Sequence, residues 1–325
     1  MRDKIFLMLA EADSYLSGEE ISRRLGVSRA AVWKHIKVLQ EEGCDIEAVT
    51  KRGYKLNIGG LHFAEQSPYL KTEWLGRSQK YLSVTESTNL VARAAGEDGK
   101  PNGYVVFADR QIGGKGRLGR SWSSPAGQGI WFSLLLRPKL CPAVAPQLTL
   151  ATAVGVANGL KKFGFDAGIK WPNDIFMDGH KVCGILTEMD ADMDKINYVV
   201  VGIGINVLNK EFPKDLKKIA TSLKIEADKK GLECPARNVL AAELLNSLEE
   251  AYETLYDSGF APIREQWLAN NITVGQKVKV TTITEETFGH AKSMSDEGYL
   301  IIETDDGEEK TVIYGDVSFP DKYKN

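Results

Sequence analysis

Gly113-Gly114-Lys115-Gly116-Arg117-Leu118-Gly119-Arg120-Ser121-Trp122 interleaves four glycines with three cations. Glycine lets the main chain take positive φ and approach a ligand closely, while lysine and arginine supply the charge that phosphate oxygens attract. The segment reads as a nucleotide-phosphate clamp or, taken alone, as a solvated surface loop. It also says what the fold is not. Residues 114–119 satisfy G-x-G-x-x-G, but a dinucleotide fold needs those glycines to open a helix directly after a strand. Here Arg110-Gln111 separates them from the preceding strand, and Ser123-Ser124-Pro125 follows. A P-loop fails too, because Gly116 stands where a magnesium-binding Ser or Thr is required.

Toward the N-terminus, residues 1–60 have the pattern of a winged helix-turn-helix. Helices are predicted over 3–14 and 18–25, Gly26-Val27 makes the turn, and Ser28 caps a third helix in which Val32, Ile36 and Leu39 share one face. Ala30, Lys34 and Lys37 point the other way, small and basic as a major-groove face requires. Between residues 21 and 40 there are five cations, Arg23, Arg24, Arg29, Lys34 and Lys37, and no acid. Residues 46–56 turn at Lys51-Arg52-Gly53, a basic tip suited to a DNA backbone or minor groove. The expected DNA-contacting set is Arg23, Ser28, Arg29, Ala30, Lys34, Lys37, Lys51 and Arg52. Trp33 reads either as an aromatic resting on DNA or as one packed under the wing, and winged helices also serve as protein-binding modules.

Residues 63–270 alternate as α/β. A strand at 80–84, a helix at 89–96 capped by Ser87 or Thr88, and a strand at 103–108 lead into the glycine-rich loop. An apolar strand follows at 129–136, then an Ala-rich buried helix at 145–163, strands at 169–171, 181–188 and 197–205, and a helix at 235–258. Asp178-Gly179 fits a type I′ hairpin turn. Asn270-Asn271 marks a boundary, and short strands at 276–283, 288–294, 299–304 and 310–313 predict a small SH3-like barrel over 271–325. The whole is an α+β multidomain chain.

A length of 325 residues suits two or three domains. The net charge of −3 argues against wholesale nucleic-acid coating, so local charge decides. Cys44, Cys141, Cys183 and Cys234 are scattered and form no cluster with His35, His62, His180 or His290, which argues against structural zinc and a disulfide framework. The apolar run at 5–10 is too short for a signal segment or membrane span, so a cytoplasmic protein without a membrane partner is expected.

Ser87-Thr88-Asn89, the glycine-rich loop, Lys170-Trp171-Pro172-Asn173-Asp174-Ile175, residues 181–188 and Val201-Gly202-Ile203-Gly204-Ile205-Asn206 together, in this order, resemble the biotin-protein ligase family. The N-terminal winged helix and C-terminal barrel look like the bifunctional members, which also repress biotin-synthesis genes. The resemblance implies that biotin's carboxylate attacks the α-phosphate of MgATP and that biotinyl-5'-AMP then acylates a lysine of a carboxylase carrier domain. ATP and magnesium are co-substrates, with no permanently bound metal. Biotinyl-5'-AMP would act as corepressor, with a ligand-induced homodimer reading an inverted-repeat operator.

A carboxylate approaching a polyanion needs fixed cations. The resemblance assigns this to Lys181, Arg117 and Arg120, with Lys115 alongside. Ser87, Thr88, Asn89 and Gln111 offer groups suited to the ureido ring, with Gly116 and Gly184 making room for ligand. Gly114, Trp122, Asn173, Asp174 and Asn206 are placed near the adenylate. Asp174 either holds magnesium or orients the acceptor lysine, and Trp122 either covers adenine or fills core. Lys115 stands where the family often has Arg, and Gly315-Asp316-Val317-Ser318-Phe319-Pro320 lacks an Arg that often follows, which weakens any contribution of the barrel to ATP contact. A non-catalytic biotin-sensing repressor and a lipoate-type ligase are the competing readings.

Overall fold

A computed structural model describes residues 1–10, 12, 14–41, 46–56, 69–282 and 285–320. Cys44, His62, the boundary read at 60–63 and the strand end read at 283 lie outside these residues.

Helices α1 (Arg2–Ala10), α2 (Gly18–Leu25) and α3 (Arg29–Glu41) precede a hairpin of β1 (Ile46–Val49) and β2 (Gly53–Leu56). The first helix stops four residues short of the predicted end. Ile5, Leu9, Ile21, Val32, Ile36 and Leu39 make a core separate from the rest of the protein, so the predicted stripe on α3 does face inward. Gly26 ends α2 in the left-handed conformation that glycine adopts without strain, and the Ser28 hydroxyl accepts from Ala31 N as the expected cap of α3.

The central sheet has the order β3-β4-β5-β9-β8-β7-β6. Its strands are β3 (Gln79–Thr85), β4 (Tyr104–Gln111), β5 (Gly129–Leu136), β6 (Gly168–Lys170), β7 (Asp174–Met177), β8 (His180–Ala191) and β9 (Ile196–Asn206). Only β3 and β4 pair in parallel, joined through α4 (Thr88–Glu97); every other neighbour is antiparallel. Two expectations need correction. Strand β4 runs through Arg110 and Gln111, so no polar spacer separates it from the glycines; what excludes a dinucleotide fold is that only a single 3-10 turn, Arg117–Gly119, follows. Strand β7 was also not foreseen, four residues carrying too little alternation to stand out, and the strand read at 169–171 lies one residue earlier, as β6 over Gly168–Lys170. The predicted turn is correct, with Asp178 at φ 48° and Gly179 at φ 77°.

Helix α5 (Ala145–Lys161) packs on the sheet and against α7 (Arg237–Ser258). Pro142–Lys161 matches a membrane crossing in length and hydropathy, yet 67% of it is buried, as befits a core helix. A Cβ on Gly155 would sit 2.9 Å from Leu248 Cα, so glycine is what lets α5 and α7 approach. Helices α6 (Leu223–Lys230) and α8 (Phe260–Ala269) lack a clean apolar period and were missed. Strands β10 (Lys277–Thr281), β11 (Glu286–Met294), β12 (Leu300–Thr304), β13 (Glu309–Val312) and β14 (Asp316–Ser318) form the antiparallel C-terminal sheet, in the order β13-β12-β11-β10-β14. Its apolar face merges with the central core, and Trp171 anchors the junction by bonds from its N to Thr273 Oγ1 and from Nε1 to Gly298 O.

Candidate active site

A cavity of about 590 Å³ is bounded by the glycine-rich loop, strands β8 and β9, the segment 209–220 and the C-terminal sheet. One end is neutral and polar. Ser87 is the N-cap of α4 in position, but its hydroxyl makes no capping bond, which corrects the expected side-chain cap. Thr88 donates to Gln111 Oε1 from both N and Oγ1, at 2.8 and 3.1 Å, and Gln111 Nε2 donates to Ser124 Oγ at 2.8 Å. Ser133 Oγ lies 2.7 Å from Thr88 Oγ1 and 2.6 Å from Asn89 Oδ1, while Asn89 Nδ2 donates to Glu188 Oε2 at 2.6 Å. The hydroxyl contacts linking Ser133 to Asn89, Ser133 to Thr88 and Thr88 to Gln111 require one more proton than the two hydroxyls carry. A ligand N–H at this end would complete the cluster.

The other end is charged. Lys115, Arg117, Arg120, Lys170 and Lys181 line the cavity with Asp174, Glu211 and Asp316, five cations against three carboxylates. Lys181 follows the Asp178-Gly179 turn, and its main chain is fixed on both sides, by Lys181 N to Ile219 O at 2.8 Å and Thr221 N to Lys181 O at 2.9 Å. Its side chain, 28% exposed, turns into the cavity, where Nζ meets Asp174 Oδ1 at 2.6 Å and lies 5.3 Å from the Trp122 ring centroid. Asp174 is thus ion-paired, and among the described residues no cluster of three or more His, Cys, Asp or Glu could cage a metal. Arg117 donates to Asn173 Oδ1 at 3.0 Å and to Gly315 O at 3.1 Å, both uncharged, so its full charge remains available. Arg120 is paired with Asp316. The C-terminal sheet therefore lines the cavity through Asp316, Val317 and Ser318.

Gly116 and Gly184 line the cavity, and the glycines of β8 and β9 also make room for protein side chains. A Cβ on Gly184 would meet Trp122 and Lys181 at 3.0 to 3.2 Å, one on Gly204 would meet Trp122 Nε1 at 2.4 Å, and one on Gly202 would meet Asn89 Oδ1 at 2.1 Å. The bare strands seat protein side chains that form the cavity wall. Trp122 Nε1 is buried without an acceptor among the described residues. Gly116 has no close neighbour within 3.6 Å, whereas Gly114 lies off the cavity, pressed to Trp122 O. Asn206 Nδ2 donates to Thr221 O at 3.1 Å, and Asn173 Nδ2 donates to Ile185 O at 2.6 Å. Sequence reasoning passed over Ser133, Asp316, Lys170 and residues 209–220. Ser133 had a signal, as the one hydroxyl inside an otherwise apolar strand.

On the winged helix, Arg23, Ser28, Arg29, Ala30, Lys34, Lys37, Lys51 and Arg52 are all exposed, and Arg52 stacks 4.1 Å over the Tyr15 ring. Trp33 is 55% exposed beside Ala30, Lys34 and Lys37, which overturns its assignment to a place under the wing.

Fold and cavity define a nucleotide-type anion site joined to a helix-turn-helix module. Family models match at residues 81–206 (biotin/lipoate A/B protein ligase family), 2–55 (HTH domain) and 273–319 (biotin protein ligase C-terminal domain). The chain is 40% identical to the bifunctional ligase/repressor BirA of Bacillus subtilis over 314 residues, 95% of each protein. It is 31% identical to that of Escherichia coli over 309 residues, 93% of this chain and 92% of the other. A solved biotin protein ligase from Aquifex aeolicus, in complex with biotin and ATP, superposes with a TM-score of 0.65 at 28% identity, covering 74% of this chain and 98% of that one. The chain belongs to the family of bifunctional ligase/repressors.

Gly204→Ala places a methyl on the Trp122 indole. A loss of about 1–3 kcal/mol in urea unfolding and a shifted Trp122 indole N–H resonance are expected; wild-type stability with an unmoved resonance would contradict the packing described.

Proposed function

We propose that this cavity forms biotinyl-5'-AMP and that each end serves one part of it. The protein is a bifunctional biotin ligase, a biotin–[acetyl-CoA-carboxylase] ligase by activity, and a transcriptional repressor. The observation that carries the residue-level reading is that five cations line a cavity whose hydroxyl and amide cluster is one donor proton short. Biotin's ureido ring supplies N–H donors to Asn89 and Gln111. Its carboxylate then points toward Lys181, where ATP meets Arg117, Arg120 and Lys115 with its magnesium carried on the phosphates.

Each cation has a task. The carboxylate and the α-phosphate repel one another, and fixed positive charge in a partly dry site lowers that barrier. Lys181 sits between the two and exchanges Asp174 for the substrate oxygens. Arg120 exchanges Asp316 for phosphate, while Arg117 needs to release only neutral acceptors. The carboxylate oxygen bonds to the α-phosphorus, pyrophosphate leaves, and the closed loop keeps water from the mixed anhydride. A carrier-domain lysine then attacks the acyl carbon and AMP departs. Lys181→Ala is expected to slow adenylate formation by about 10²-fold or more. Pyrophosphate release within a few-fold of wild type in a rapid-quench measurement would contradict the assignment.

The loop also links occupancy to repression. Ile112, just before the loop, is 68% exposed and Leu118, in its middle, 54% exposed, apolar side chains that ligand binding fixes for a second copy. Two winged helices on that two-fold axis read an inverted repeat. Operator affinity is expected to rise when biotin and ATP are both present, and Lys34→Ala to lower the salt slope by about 0.9 per protomer for one phosphate contact. Equal affinity with and without the two ligands, in a fluorescence-anisotropy titration, would remove this mechanism.

A further inference from the structure

Trp33 is the one large apolar side chain of the winged helix, Met1 aside, that stands exposed among the described residues. It lies on α3 with Ala30, Lys34 and Lys37, spaced by steps of three and four so that all four share one side of the helix. Val32, Ile36 and Leu39 are buried on the other side against α1 and α2, so the fold gives the indole no place in the core. An aromatic held out on a rigid helix, where serine or lysine would serve solubility better, is placed to meet something outside the molecule.

The surroundings identify the partner. Five cations and no acid lie between residues 21 and 40, which draws a polyanion. A protein-binding face would carry a contiguous apolar patch, whereas the exposed companions of Trp33 on α3 include Arg29, Ala30, Lys34 and Lys37. On a duplex an uncharged ring gains nothing from phosphate, so it must lie against base edges. In the major groove guanine, adenine and cytosine offer only polar groups, and thymine alone adds an apolar one, its 5-methyl, beside the acceptor O4. The indole offers the complement, an apolar ring with a single donor at Nε1. Laying the ring on any other base edge strips water from polar groups without replacing it. Ala30, one turn earlier, is small enough to let that end of α3 approach the groove floor.

We propose that Trp33 reads a thymine 5-methyl group in each half of the operator, an assignment that rests on the repressor reading. Arg29, Lys34 and Lys37 hold α3 by the phosphates, which sets its register but carries no sequence information. Trp33 supplies that information. Because the ring is uncharged, its contribution appears as sequence preference and leaves the salt dependence alone. Covering one methyl is worth about fourfold in affinity, and two half-sites bound by two protomers together give about 15-fold.

The test crosses a protein change with a change of one methyl in the DNA. Full-length wild-type protein, with biotin and MgATP, selects its duplex from a randomised pool. Each symmetry-related pair of thymines in that duplex is then replaced by uracil, which removes the methyl and nothing else. Affinities of wild type and Trp33→Ala are measured for these duplexes and for one of unrelated sequence, across a salt series. At one pair of positions, uracil is expected to weaken wild type by about 15-fold. Trp33→Ala binds the thymine and uracil forms of that duplex alike, and keeps the wild-type affinity and salt slope on the unrelated duplex. The uracil series needs no variant, so a wild-type protein indifferent to every replacement overturns the proposal by itself. A Trp33→Ala protein that still prefers thymine at that position overturns it too, since another residue or the stiffness of the DNA then reads the methyl. So does a variant with undiminished operator affinity, the result expected if this face meets a protein instead, and so does an equal fall on operator and unrelated DNA. If wild type selects no duplex at all, the repressor reading fails and takes this assignment with it.

Discussion

Like charges crowded into a confined space are the constraint on which this structure turns. Lys115, Arg117, Arg120, Lys170 and Lys181 line one cavity, and the fold holds them there without a full set of carboxylates. Each is restrained differently. Lys181 and Arg120 rest on Asp174 and Asp316, Arg117 is held by an amide and a main-chain carbonyl, and Lys170 lies between two rings. Such an arrangement is poised for a polyanion, because incoming phosphates replace partners that are few, neutral or partly solvated. Exposed pairs such as Arg120 with Asp316 are weak by nature, which makes the exchange inexpensive.

Bare strands make this possible. Gly184 on β8 and Gly202 and Gly204 on β9 sit at the centre of the sheet, where a side chain would collide with Trp122 or Asn89. The main chain itself becomes the floor, and the loop's tryptophan and the first turn of α4 come down onto it. From the far side, the C-terminal sheet shares the central core and reaches the loop through Gly315 and Asp316. The glycine-rich loop and the terminal sheet are thus joined, and the tail supplies two of the loop's restraints.

Much of this was legible in the residues because the informative signals were local. Capping, the stripe on α3, the Asp178-Gly179 turn and the apolar run of β5 depend on neighbours in sequence, and each lies where the pattern put it. What escaped detection depends on contacts distant in sequence. Strand β7 is four residues long and is defined by pairing with β6 and β8. Trp33 resembled a core aromatic, and only the packing of α1 and α2 onto the other side of α3 shows that its face is exposed among the described residues. Asp316 is one acidic residue in a short strand until the fold brings it to Arg120, 196 positions earlier in the chain. The glycines were recognised as space-makers, but what fills the space is protein, a distinction composition does not carry.

The central claim is that the loop's cations exchange protein oxygens for those of the substrate. A crystal structure with biotin and ATP bound tests it most directly. The account requires Arg117 and Arg120 on phosphate oxygens, Arg120 parted from Asp316, and residues 113–122 folded over the ligand. Ligand density in the cavity with Arg120 still on Asp316 and the loop remote from the phosphates would contradict it.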